Sequence, residues 1–356
     1  MNITPFNSPF DDTDTATRID QIVDINGRGD FTSIQQCIDA APKGNKGTVI
    51  YIRKGTYREK LHITRDNITL IGEHADETII TSSTANGMLD QNGRIWATRD
   101  SRTVSIDAEY FHACNLTIKN GFDFLKNQKK SPSDPTRILN TQAVALLLSP
   151  ACHHAELHNI NLISYHDTLY ILGNDNLFKN VMICGTVDFI FGSGSAFFHR
   201  CDIVCRFRDD IKHDEPMGFV CAPSTDINQK LGFVFYHCSL KKENPLVSKG
   251  SYGLGRPWHP TTSFPDGTYA DPNAIGSAIF ITCFMDDHIY GWDIMHGRNH
   301  QGRLISFYPE HARFFEYGNY GKGTLSNKKT RRQLSKRQSD SIIQLIFSQH
   351  PSFVQN

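Results

Sequence analysis

The sequence predicts an all-β fold, a parallel β-helix in which short strands stack coil upon coil. The first observation is a recurring motif: an aromatic residue or Leu, a Cys, Ile or Val three positions on, then an aliphatic residue or Met two further. It reads Phe111/Cys114/Leu116, Leu157/Ile160/Leu162, Phe178/Val181/Ile183, Phe198/Cys201/Ile203, Phe235/Cys238/Leu240 and Phe280/Cys283/Met285. Successive copies are offset by 46, 21, 20, 37 and 45 residues, a unit of roughly 20–23 residues taken once, twice, or once with an inserted loop. The second observation is that the segments between marks are short, β-rich and bounded by polar turns, which favours stacked strands over helical repeats. The third is that helical patterning is confined to the two ends.

In chain order, Ile22–Asp24 reads as a strand and Gly27–Asp30 as a turn. Asp30 or Thr32 is then placed to cap a helix running to Ala41, with Ile34, Cys37, Ile38 and Ala41 on one face and Pro42 and Gly44 ending it. Such a helix suits a cap over the first coil, whose strand edges need covering. Thr48–Ile52 is an apolar β-branched strand, and Gly55-Thr56-Tyr57 turns into the next. Insertions are expected at Thr84–Arg102, Gly121–Leu139, Arg208–Pro216 and Lys241–Asp271, as walls of a groove. Beyond Tyr308 the chain turns polar and basic, and a solvated segment with a helix around Ser339–Phe347 is expected. The whole, 1–356, reads as one domain: a β-helix over about 22–320 and the polar segment over about 321–356.

Composition narrows the function classes. The 356 residues are 39% apolar and 21% charged, and 37 basic residues balance 37 acidic ones, so no global field favours nucleic acid. No apolar run reaches the ~18 residues of a membrane span. Nine cysteines lack C-x-x-C spacing and give no zinc pattern. Cys114, Cys201, Cys238 and Cys283 share the motif register and are expected to point inward as free thiols, with a Cys201–Cys238 disulfide as the alternative. Asn2, Asn67 and Asn115 open N-x-S/T sequons, relevant only to a secreted eukaryotic protein.

The chemistry centres on Cys184–Gly194, CGTVDFIFGSG. Asp188 sits among apolar residues, where an ionised carboxylate is costly unless paired, and such carboxylates cluster at catalytic sites. Asp167, in His166-Asp167-Thr168-Leu169-Tyr170, precedes Asp188 by 21 residues, one coil unit, and Tyr170 precedes Phe191 by the same interval. Stacked coils bring two such carboxylates together, so one pKa rises and the other falls, leaving an acid beside a carboxylate. That pair serves acid/base, nucleophilic or glycosidic chemistry alike. A structural Asp and chance spacing are the bland alternatives.

Further motifs choose among these. Gln142-Ala143-Val144-Ala145-Leu146 places an amide on an apolar strand, and Gly253-Leu254-Gly255-Arg256-Pro257-Trp258 a guanidinium beside an indole. Together Q-A-V-A-L, D-T-L, G-T-V-D-F-I-F-G and L-G-R-P-W resemble the motif set of the pectin methylesterases, carbohydrate esterases on a right-handed parallel β-helix. The resemblance extends from about Ile22 to Leu334, taking in Gly55–Glu59 and His288–Trp292, and lies nearest the bacterial branch at Phe307–Glu310 and Arg313–Glu316. It implies that Asp188 is the nucleophile on a galacturonate methyl ester, Arg256 holds it ionised, Asp167 is the acid and then the base, and Gln142 donates to the oxyanion. Trp258, Tyr170 and Phe191 would face sugar rings, with Thr98, Val187, Arg208, Thr261 and Met295 at lesser subsites. It implies no metal or organic cofactor, a methyl-esterified homogalacturonan as partner, a monomer, and secretion, with numbering that begins after a removed leader.

One position departs from the family pattern. The Gln that usually precedes the D-T-L aspartate, a second oxyanion donor, is His166 here. A neutral imidazole still donates one N–H, and a protonated one would lower the Asp167 pKa and impair the acid. His166→Gln is therefore expected to keep or raise methanol release. Two other readings stay open: a non-catalytic polysaccharide-binding β-helix, and an esterase or thioesterase of the same fold acting on another acyl group.

Overall fold

The computed structural model describes residues 18–42, 47–212, 214–325 and 328–350; Asn2 and Gly44 lie outside the described residues. Three parallel sheets run the length of the molecule, one of ten strands and two of eight, and two antiparallel hairpins project from them. Each central coil supplies one strand to each sheet, as Asn176–Lys179, Met182–Gly185 and Ile190–Gly192 do for the first, second and third sheets.

The sequence motif is the inward face of this coil. Leu157, Phe178, Phe198, Phe235 and Phe280 are successive register partners in the first sheet. The four rings stack at centroid separations of 4.9, 4.5 and 4.3 Å. Leu162, Ile183, Ile203, Leu240 and Met285 form the matching column of the second sheet. Every member is buried, and each buried side chain of this size stabilises the fold by about 1.5–3 kcal/mol. The motif is two residues out of register at its first copy. Leu157 pairs with Ala113, not Phe111. Cys114 consequently lies opposite His158 and outside the column of Cys201, Cys238 and Cys283. All nine cysteines are buried and free, so the Cys201–Cys238 disulfide does not form. Instead Cys201 and Cys238 donate their S–H to the carbonyls of Phe178 and Phe198, each at 3.3 Å.

The corners of the coil rest on left-handed residues. Asn115, Asn159, Asn180, Arg200, His237 and Thr282, all between the first and second sheets, have φ from 49° to 56°. Asn tolerates this conformation better than most residues. Asn159 also donates its amide to Asn115 Oδ1 at 2.7 Å, so the Asn115 sequon is engaged in the corner ladder.

Both ends are closed by charged caps. Helix α1 (Ile34–Ala40) buries Ile34, Cys37 and Ile38 in the core, but its cap is Ser33 rather than Asp30 or Thr32. The reason is long-range. Glu59 accepts from Ser33 Oγ at 2.7 Å and from the Ile34 and Gln35 amides at 2.9 and 3.1 Å, satisfying helix-start donors that have no partner within the helix. At the far end Arg331 grips Glu316 through two buried contacts of 2.8 and 2.6 Å, and Trp292 stacks on Phe314 at 4.3 Å. The short 124–128 helix, α2, lies in one of the expected insertions. Helix α3 (Lys336–Gln349) begins earlier than expected, behind a Ser335–Gln338 capping box. It is not simply solvated, because Ile342, Ile343, Ile346 and Phe347 cover Leu177, Phe197, Val234 and Ile279 on the outer face of the first sheet.

One expected insertion is not a single loop. Lys241–Asp271 contains Tyr252–Gly255, a strand of the third sheet, and the hairpin Thr261–Phe264/Gly267–Ala270. A second hairpin, Met295–Arg298/Leu304–Phe307, lies beside the first.

Candidate active site

The site lies on the third sheet, at the corner where each coil enters it from the second. Asp167 and Asp188 occupy equivalent positions there, two residues before the register partners Leu169 and Ile190, and both are left-handed, with φ of 61° and 49°. Asp188 is thus in a corner and not inside a strand as the sequence suggested. Its flanking glycines serve the chain and not the ligand. A Cβ on Gly185 would come within 2.3 Å of Phe189, and one on Gly192 or Gly194 would strike the backbone of the preceding coil. Gln142 likewise precedes its strand, Leu146–Leu148.

Four groups converge on Asp188. Arg256 emerges just past Gly255 and binds the carboxylate in a fork, Nε to Oδ1 at 2.9 Å and Nη2 to Oδ2 at 2.7 Å. Charge-assisted pairs of this geometry are the strong class of hydrogen bond. The guanidinium also lies 4.1 Å over the Phe219 ring. Burial opposes its charge, yet the Asp188 carboxylate raises the Arg256 pKa above its ordinary value. Asp167 is almost wholly buried, and its pKa is raised well above the usual carboxylate range, first by burial and then by the neighbouring Asp188 charge. The result is a carboxylic acid beside an arginine-held carboxylate.

His166 turns toward the acid. Its Nε2 is 3.2 Å from Asp167 Oδ1 and its Nδ1 is 3.3 Å from Thr141 Oγ1. Burial, reinforced by the charges of Arg208 and Arg256 and opposed by that of Asp188, lowers its pKa to about 4. The imidazole is therefore neutral over the physiological range, which removes the protonated case that the sequence left open. Gln142 stands on the preceding coil, where the amide of its neighbour Ala143 donates to the His166 carbonyl at 3.0 Å. Its Oε1 is buried without a hydrogen-bond partner, the kind of orphan polar atom that asks for a functional explanation.

Beside the carboxylates runs an apolar floor. Ser105, Leu147, Tyr170, Phe191 and Ala222 are consecutive register partners along the third sheet, spaced by the ~4.8 Å of neighbouring strands. Tyr170 and Phe191 stack at 4.1 Å, and Trp258 leans over both at 6.4 and 5.7 Å. They form an apolar cluster with Val144, Leu147 and Ala222, separate from the main core.

The remaining expected positions are more dispersed. The Val187 carbonyl accepts the Asp167 amide at 3.3 Å. Arg208 is forked onto Asp210 at 2.6 and 2.7 Å, so its charge is already paired. The Thr98 hydroxyl accepts from Asn86 Nδ2 at 3.1 Å on the edge of the groove. Thr261 and Met295 lie on the two projecting hairpins. Sequence reasoning missed Tyr290, which donates to Asp293 close to Arg256, although the His288–Trp292 block had drawn notice. It also missed Thr141 behind His166 and Phe219 beneath Arg256; no local pattern signals a partner brought in from another coil. Among the described residues no cluster of His, Cys, Asp and Glu could hold a metal ion, and no helix is long and apolar enough to cross a membrane.

Comparison with known proteins agrees with this geometry. The family described as Pectinesterase matches residues 20–341. Pectinesterase A of Dickeya chrysanthemi is 48% identical over 314 residues, spanning 88% of this chain and 86% of that protein. The crystal structure of pectin methylesterase PemA from Erwinia chrysanthemi superposes with a TM-score of 0.89 at 46% identity, covering 92% of this chain and 96% of the other. A pectin methylesterase solved in complex with a hexasaccharide matches with the same score, identity and coverage. The coil shares the right-handed winding of those structures. The chain accordingly belongs to the pectinesterase family, and its fold and its paired carboxylates are those of a pectin methylesterase.

Proposed function

We propose that the protein removes methyl esters from the C6 carboxyl of galacturonate units in pectin, with Asp188 as nucleophile. The observation that carries this reading is the pair of equivalent corners, one holding a buried acid and the other a carboxylate forked by Arg256. An Asp188 oxygen attacks the ester carbonyl, and the oxyanion that develops accepts from the Gln142 amide. The C–O bond to the methoxy group breaks as Asp167 delivers its proton to the departing oxygen, and methanol leaves. The galacturonyl group is then an anhydride of Asp188. Asp167, now a carboxylate, takes a proton from water as that water attacks the same carbonyl. Collapse frees Asp188 and the product acid, and Asp167 is protonated again.

Arg256 orients Asp188 and makes its carboxylate the stable form before attack. His166 is read as the group that holds the Asp167 carboxyl, with Thr141 fixing the other ring nitrogen. This differs from the oxyanion donor expected at its position. The Tyr170, Phe191 and Trp258 rings offer apolar faces to sugars, and the structurally similar pectin methylesterase bound to a hexasaccharide supports a polysaccharide occupant. The substrate lies outside cells, so we place the protein there, acting as a monomer.

Methanol release from highly methylated pectin tests the reading. The wild type is expected to release it and Asp188→Ala to release none. An inactive wild type that still binds oligogalacturonides would favour the non-catalytic alternative, and turnover of another ester but not of pectin would favour a different acyl group.

A further inference from the structure

The groove has a charged edge that the ester chemistry does not use. Residues 98–101 form a single 3-10 turn beside the apolar floor. Ser101 Oγ ties it down, donating to the Thr98 carbonyl at 2.7 Å and accepting the Val144 amide at 3.0 Å. Asp100 Oδ2 closes it by accepting the Ala97 amide at 3.0 Å. From this fixed turn the exposed Arg99 guanidinium reaches over Tyr170, 5.7 Å from the ring centroid. Tyr170 is the floor residue of the Asp167 coil and stacks on Phe191 of the Asp188 coil.

The cations around Arg99 are already engaged. Arg94 contacts Asp90 at 3.2 Å and Asp100 at 3.6 Å, and Arg102 contacts Asp100 at 3.6 Å. Lys60 donates to the Asp100 carbonyl at 2.6 Å and lies 3.7 Å over Trp96. Among the described residues no carboxylate pairs with Arg99. Four basic side chains thus face two carboxylates, and the cation without a partner is the one over the sugar floor. Arg208, the other arginine expected at the groove, differs in being neutralised by Asp210.

Under the proposed reaction the groove changes sign as it works, since each turnover converts a neutral ester into a carboxylate. We propose that Arg99 is a subsite for a free uronate carboxylate, one coil along from the reacting ester, so that the enzyme favours pectin chains already carrying acid groups next to the ester to be cleaved. Guanidinium suits this ligand because its planar fork matches a carboxylate. The Tyr170 face holds both the sugar and the cation, so one acid sugar would contact both.

This inference rests on the esterase reading, and the experiment separates the two. Initial methanol release is measured for wild type, Arg99→Gln and Arg99→Lys on fully methylated and on half de-esterified pectin, with fully de-esterified oligogalacturonide as inhibitor. Arg99→Gln is expected to raise KM about tenfold on the half de-esterified substrate and to weaken oligogalacturonide inhibition by a similar factor. Its kcat, and its KM on fully methylated pectin, are expected to stay within twofold of wild type. Arg99→Lys should recover part of the inhibition, and 0.5 M salt should bring wild type toward Arg99→Gln. Equal KM changes on both substrates, or unchanged inhibition, would overturn the subsite. A wild type releasing no methanol from either pectin would overturn the esterase reading itself.

Discussion

Replacing His166 with Gln tests both the electrostatics of the site and its chemistry. In the folded protein the imidazole titrates near about 4, against 6.5 for a free histidine. Below pH 6.5 the unfolded chain takes up a proton that the folded chain refuses, so stability from this residue is complete above 6.5 and drains away as pH falls toward 4. The difference of about 2.5 units, at about 1.36 kcal/mol each, makes the loss about 3 kcal/mol by pH 4. The side chain is only 20% exposed, so solvent screening leaves most of this in place. With an unfolding entropy of about 2.1 cal/mol/K per residue, that is about 4 °C in Tm for this chain. Gln does not titrate. Thermal melts of both proteins between pH 7.5 and 4 should therefore show wild type losing about 4 °C relative to His166→Gln. A Tm difference independent of pH would refute the buried neutral imidazole. The same variant should keep or raise methanol release at pH 7, and a large loss there would show that the imidazole has a role Gln cannot fill.

Asp167→Asn should abolish most methanol release and yet raise Tm at pH 7. The folded pKa of Asp167 is raised, so above pH 3.8 the folded protein retains a proton the unfolded chain gives up, and stability falls as pH rises. The gain in Tm should vanish at pH 3, and a gain that persists there would contradict the assignment. Gln142→Ala should lower kcat by about 10²–10³ with little change in KM; a change confined to KM would make Gln142 a binding residue. Arg331→Met leaves Glu316 buried and uncompensated and should destabilise the protein by about 3–5 kcal/mol in urea unfolding, with the activity of the folded fraction intact. Adding Glu316→Gln should recover part of the loss.

The coil was legible because its cause is periodic. Each turn must present one large apolar residue to the core at the same place, and Phe178, Phe198, Phe235 and Phe280 record that demand directly. The register was misread where the demand lapses: Ala113 fills the column in its coil, and a nearby Phe111 imitates the missing mark. The 21-residue interval between Asp167 and Asp188 was readable for the same reason, since equal spacing in a solenoid means stacking. Their setting was not. A corner residue with positive φ leaves only a faint mark in composition, and the flanking glycines suggested room for a ligand when they were meeting a backbone carbonyl.

Spacing and side-chain type were enough to set the winding, the stacked carboxylates and the reaction they suit, because those properties repeat along the chain at one interval. Tertiary structure alone decided who faces whom across coils of unequal length. Glu59 caps a helix 25 residues earlier in the chain, and Arg256 crosses 68 residues to fork Asp188. Only the folded chain turns His166 toward the acid in a neutral state and leaves Arg99 as the unpaired cation over Tyr170. Those contacts depend on insertions whose lengths follow no period, and on burial, which belongs to the assembled coil and to no single segment of it.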